Sequence, residues 1–135
     1  MYFLKKLAKK LIPRNPGVPV TILPEDKHPR GRVLFSYISQ SAQAPQNSTI
    51  FNGHSNQWES REIINIFNRF GYIVDVIDWN NSTFYPDKHY DVVFDIYTNL
   101  QRLTPFLDTK TKKILHLTGS YAPYQNKAEI KRVEE

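Results

Sequence analysis

The chain has 135 residues, 40% of them hydrophobic and 13% aromatic, which suffices for one core and excludes a two-domain enzyme. The absence of cysteine rules out disulfides, thiolate metal sites and cysteine nucleophiles, and fits a reducing cytoplasm. The net charge of +5 is N-terminal: residues 1–32 hold eight Lys/Arg against two acids and residues 33–135 ten against eleven, so the body has no excess with which to bind nucleic acid.

Residues 1–12, MYFLKKLAKKLI, place Leu4, Leu7, Ala8 and Leu11 on one helical face and Lys5, Lys6, Lys9 and Lys10 around the remainder, a short basic amphipathic pattern. The lysines interrupt any secretory apolar run, and no segment approaches the roughly 20 apolar residues of a membrane span. Two readings stay open: a peripheral helix drawn to an anionic membrane surface through residues 1–13, or a solvated or self-packed tail. In the first, deleting residues 1–13 abolishes binding to anionic vesicles and leaves folding intact; equal binding by the shortened chain contradicts it. Pro13, Pro16, Pro19, Pro24 and Pro29 then predict an extended linker to Gly31, so residues 1–31 form an arm and 32–135 the folded domain.

The body opens with a predicted strand, Val33–Ile38, followed by a polar loop over Ser39–Gly53. Ser55–Phe70 has helical spacing of Trp58, Ile63, Ile66, Phe67 and Phe70, with Ser55 or Asn56 as cap and Gly71 as stop. Tyr72–Asp78 is a second strand, Tyr90–Ile96 a third, Asn99–Leu107 a short helix broken by Pro105, and Lys112–Leu117 a fourth strand. Asn126–Glu135 begins a helix with no stop signal. Strands alternating with helices predict an α/β fold, a Rossmann-like parallel sheet of about four strands covered on both faces and preceded by the basic arm.

Ligands of such sheets gather beyond the carboxyl ends of the strands. That rule selects the segment ending at Gly53–Asn56, then Asp78–Asn81, Tyr97–Asn99 and Thr118–Tyr121. His54, at the mouth of a helix, is the first candidate for a polar contact, set against a role in capping alone. Thr118, Gly119 and Ser120 supply hydroxyls and a turn suited to phosphate or sugar hydroxyls, although turn chemistry explains them equally. His116, inside KKILHL, reads as a satisfied, partly buried histidine, and His28 and His89 carry no functional expectation. Asp75, Asp78, Asp91 and Asp95 are acid/base candidates of a kind that more often makes caps or ion pairs. A glycine fingerprint before Asp78, a phosphate loop, a nucleophile elbow and metal-ligand spacing are all missing, so neither a dinucleotide cofactor nor a metal is expected.

In the order RVLFSYI, GHSNQWESREIINIFNRFGYIVDVIDW, YDVVFDIYTNLQRL and KKILHLTGSYAPYQNKAEIKR, the run from Arg32 to Glu135 resembles the N-terminal part of bacterial glycosyltransferases of the GT-B architecture. The most distinctive pieces are His54–Glu59 and Leu117–Ser120 followed by Asn126–Glu129. The resemblance implies an acceptor-side domain facing a cleft, with a saccharide or lipid-linked acceptor as partner. His54 would be the possible base, and Thr118, Gly119, Ser120 and Tyr121 would lie on the acceptor side. Asn56, Trp58 and Glu59 are assigned to capping and packing. The nucleotide-sugar co-substrate would need a C-terminal donor domain, which the sequence lacks, so the expectation is a truncated chain, inactive alone and completed by a protein partner supplying that domain. The competing expectation is a non-catalytic α/β interaction module, peripheral to the membrane through its arm.

Overall fold

The computed structural model describes residues 17–118 and 122–134, with side chains in the last stretch from residue 126 onward. The basic pattern of residues 1–12 therefore lies outside the described residues. The elements in chain order are β1 (Val20–Ile22), β2 (Gly31–Tyr37), α1 (Ser39–Gln43), α2 (Ile50–Gly53), α3 (Ser55–Arg69), β3 (Tyr72–Asp78), β4 (Val92–Asp95), α4 (Asn99–Leu103), a 3-10 turn (Thr104–Phe106), β5 (Lys112–Leu115) and α5 (Ala122–Glu134).

The five strands form one sheet in the order β1-β3-β2-β4-β5. β3, β2, β4 and β5 run parallel, and β1 lies antiparallel on the outer edge of β3 with Val20 opposite Val76. β2 is central: Val33 is paired with Val74 on one side and Val92 on the other. Its run from Val33 to Tyr37 is buried throughout, as a parallel strand covered on both faces requires.

Each face has its own apolar core. Val33, Phe35, Tyr37, Val74, Val76 and Phe94 meet Ile64 of α3, with Ile63 and Phe67 packed at the margin. On the opposite face Leu34, Ile77, Tyr90 and Val93 meet Phe84 and Leu103 and Leu107 from the segment around α4. The second face also holds a buried polar cluster. Asp75 accepts hydrogen bonds from Thr21 (2.7 Å), Tyr90 (2.8 Å) and both-oxygen contacts from Arg32 (2.8 and 3.0 Å). Burial would raise the Asp75 carboxyl, but the three donors and the Arg32 charge outweigh it and hold the group below its ordinary value. Burial first, and then the bond to Asp75 and its charge, raise the Tyr90 hydroxyl.

Four local expectations need correction. The linker contains β1, because Val20 and Ile22 find an open edge of β3 and pack against the first core. The stretch Ser39–Gly53 is not a plain loop; it holds α1 and α2, and α1 is tied to α3 by Ser41 Oγ donating to Ser60 Oγ at 2.9 Å. The buried stripe of α3 runs through Ser60 and Ile64, leaving Trp58, Ile66 and Phe70 exposed. α3 begins after His54, with no side-chain cap from Ser55 or Asn56, whereas Gly71 does stop it, at φ +88, with its N–H on Asn68 O at 2.9 Å.

β3 coincides with its predicted span, while β4 and β5 are shorter, ending at Asp95 and Leu115. The sheet is not covered throughout: all four residues of β5 are exposed, and so are the described side chains of α5. No helix among the described residues is long and apolar enough to cross a membrane.

Candidate functional site

The chain leaves β2 toward β3 on one side and β4 toward β5 on the other, with α3 and α4 on opposite faces. The carboxyl ends of β2 and β4 therefore border the point where the winding reverses, the place at which open parallel sheets form a crevice.

On the α3 face of that rim three side chains converge from separate elements. Glu59, in the second turn of α3, accepts on one oxygen both Tyr37 at the end of β2 (Oη–Oε1 3.5 Å) and His116 just past β5 (Nε2–Oε1 2.5 Å). The His116 backbone is fixed by its N–H on Asp95 O at 2.8 Å, and its ring lies 5.6 Å from the Phe94 ring and 6.5 Å from the Tyr37 ring. The imidazole and carboxylate are each about one-third open, at 37% and 35% exposure, so the pair is positioned by the protein and still reachable. A carboxylate on Nε2 favours the proton there, which leaves Nδ1 as a lone-pair acceptor; among the described residues nothing bonds to it.

Burial, reinforced by the charge of Glu59 and the bond to it, pushes the Tyr37 hydroxyl up to about 12. A spectrophotometric titration of the folded chain should thus show a tyrosine ionising near 12 that vanishes in Tyr37→Phe and moves down in Glu59→Gln. Because the folded value exceeds the unfolded one, the stability Tyr37 contributes is complete below about pH 10 and lost as pH climbs toward the folded value. Ionisation of Tyr37 at the ordinary phenol value would show that its hydroxyl is neither buried nor held against Glu59.

The other part of the rim is built around Asn99. Its buried amide donates to Ser36 Oγ (3.0 Å), Trp79 O (3.1 Å) and Asp78 O (3.3 Å), and its oxygen accepts from the Arg102 guanidinium (3.0 and 3.1 Å). Trp79 also continues the β2–β3 ladder through its N–H on Tyr37 O at 2.8 Å.

The residues named from sequence are dispersed among these features. His54 is an exposed, extended residue ahead of α3 whose side chain makes no cap bond, although its carbonyl receives Gln57 N–H at 3.1 Å. Thr118 is exposed two residues past His116. Gly119, Ser120 and Tyr121 lie outside the described residues. The four aspartates serve structure: Asp75 in the cluster above, Asp78 on Ser39 N and Oγ (both 2.8 Å), Asp91 on Arg32 N (2.8 Å) and His89 (3.2 Å), and Asp95 on Leu100 N (2.7 Å). Asp95 Oδ1 and Gln57 Oε1 are buried without a hydrogen-bond partner among the described residues. The described residues hold no group of three or more metal-ligating side chains.

His116 is the satisfied, partly buried histidine that its sequence suggests; what the sequence does not show is that its partner is Glu59, expected there only to cap and pack the helix, and that the pair stands at the rim. A fourth strand ending at Leu115 instead of Leu117 moves His116 from the interior of the strand onto the rim, where the carboxyl-end rule would have selected it. At the amino edge, an open groove includes Arg30, His28, Phe70 and Gly71; it shares no residue with the rim. Compared with family models, curated proteins and solved structures, the chain matches none.

Proposed function

We propose that this Rossmann-like domain is the acceptor side of a nucleotide-sugar-dependent glycosyltransferase of the GT-B kind, holding a saccharide or lipid-linked acceptor over the carboxyl rim of its sheet. The observation that carries the reading is the Glu59–His116 pair, an imidazole oriented by a carboxylate and open to a ligand where parallel sheets bind theirs. The base is assigned to His116 in place of His54, whose side chain makes no cap hydrogen bond and is bonded to nothing among the described residues.

In this reading the acceptor hydroxyl proton passes to His116 Nδ1 and Glu59 stabilises the imidazolium that results. The hydroxyl oxygen forms the new bond to the anomeric carbon of a nucleotide-sugar, whose bond to the diphosphate breaks with its electrons on the leaving group. Thr118, and in the same segment Gly119, Ser120 and Tyr121, are assigned to the acceptor. The donor would be gripped by a second domain, in the same protein or a partner, and the isolated chain should give no transfer. The basic arm of residues 1–13 would keep the domain at the inner face of the membrane near a lipid-linked acceptor.

Titration of the full chain with soluble oligosaccharides, followed by the imidazole proton signals of His116, tests the reading. Saturable shifts are expected, with affinity, read by calorimetry in both proteins, falling roughly 3- to 10-fold in His116→Ala, as loss of one hydrogen bond implies. Oligosaccharides that leave the His116 signals unmoved contradict it. One observation favours the interaction module instead: Ile114, Leu115 and Leu117 expose apolar surface along and beyond β5. A module of that kind leaves the His116 signals indifferent to sugars.

A further inference from the structure

Two large aromatic side chains stand exposed on the carboxyl rim and belong to neither core. Trp79 follows β3 and Tyr97 follows β4, with β2 between those strands, so their contact spans the end of the central strand at the reversal of the winding. The ring centroids are 5.6 Å apart and the planes 80° from one another. The residues keep 42% and 62% of their surface accessible. The two rings thus make a right-angled corner: each shields an edge or face of the other and leaves another face open.

The backbone under one side of the corner is anchored. Trp79 is held at both backbone polar groups, by its N–H on Tyr37 O (2.8 Å) and its carbonyl under the Asn99 amide (3.1 Å). An aromatic ring carried on an anchored backbone has only its two side-chain torsions to fix when a ligand ring lands on it. Of the charged groups nearby, Asp78 and Arg102 are engaged, and Asp95 is fully buried and adds no cation. Asp78 gives one oxygen to Ser39 N and the other to Ser39 Oγ, and Arg102 is bound to Phe84 O (2.7 Å), Asn81 O (2.9 Å) and Asn99 Oδ1 while lying over the Tyr85 ring. With these groups committed, the corner offers apolar faces and neutral polar edges, which suits a neutral ring better than a phosphate needing a free cation.

We propose that Trp79 and Tyr97 form a stacking subsite for a neutral pyranose ring of the acceptor, the apolar C–H face of the sugar lying on one ring and its edge against the other. This rests on reading the rim as a saccharide site, and it extends that site from the Glu59–His116 pair across the end of β2.

The chain holds two tryptophans, so Trp58→Phe leaves Trp79 as the sole indole reporter. Cellotriose, maltotriose, chitotriose and adenosine are titrated against this variant by fluorescence, and against the unaltered chain by the Trp79 indole N–H signal. At least one oligosaccharide should change Trp79 emission saturably, with Kd about tenfold weaker after Tyr97→Ala. No response to any oligosaccharide, or a response to adenosine alone, overturns the subsite; the indole signal of the unaltered chain decides the matter if a variant misfolds. Sugars that move His116 but not Trp79 refute this subsite and leave the proposed function standing. Sugars that move Trp79 but not His116 uphold the subsite and refute the assigned base.

Discussion

Arg32→Leu should cost about 3–5 kcal/mol of folding stability, because it strips the only cation among the described residues from a carboxylate that is itself fully buried. Thr21 and Tyr90 would still donate to Asp75, but two neutral hydrogen bonds do not offset the desolvation of an unpaired charge. The pH dependence should change sign as well. In the unaltered chain the Asp75 carboxyl is held low, so its contribution is present above the unfolded value near 4 and fades as pH falls through the folded value. Without Arg32, burial dominates, the folded state favours the protonated acid, and the part of stability set by Asp75 grows on acidification. Urea unfolding across pH 3–7 measures both effects. Arg32→Leu combined with Asp75→Leu should recover much of the loss, since the cost lies in breaking the pair more than in lacking it. A single variant as stable as the unaltered chain, with the same acid slope, would show that Arg32 and Asp75 are not coupled in solution.

Phe35→Ala should be comparably severe, at about 3–5 kcal/mol. Phe35 is fully buried in the central strand, its ring 4.9 Å from that of Phe94 and 6.1 Å from that of Tyr37. Removing it opens a cavity under the same rings that support His116, and strands paired on both sides of β2 cannot close around the gap. Small domains have total stabilities on the order of 5–15 kcal/mol, so the loss is a large share of the whole. Phe35→Leu, which keeps most of the volume, should lose far less in the same denaturant measurement. Equal loss from Leu and Ala would show that ring stacking, not volume, governs this position.

The contrast between what could and could not be read from sequence has a physical pattern. β3 and α3 were legible because a β-branched run, apolar but for Asp75, and a helical segment stopped by Gly71 are local signals, decided within one segment, although which face of α3 is buried was not. β1 was hidden because three residues between prolines become a strand only when the edge of β3 is available. The carboxyl rim was selected by topology alone, but its chemistry depends on partners far apart in the chain: Glu59 and His116 are 57 residues from one another, and Arg32 and Asp75 are 43. His54 drew attention by its place before a helix, yet a position beside a helix start says nothing about whether a side chain is oriented. Trp79 was covered by the rule for strand ends and Tyr97 by the same rule, but their meeting required β2 to lie between β3 and β4.

The proposed saccharide site lies at the carboxyl edge of the sheet. A residue-resolved amide shift map of the full chain, titrated with chitotriose, cellotriose and maltotriose, tests it most directly. The account predicts saturable shifts at Ile38, Tyr97, His116 and Thr118, with Arg30 and Gly71 at the amino edge unchanged. Shifts confined to the amino edge, or none at saturating sugar, would contradict it.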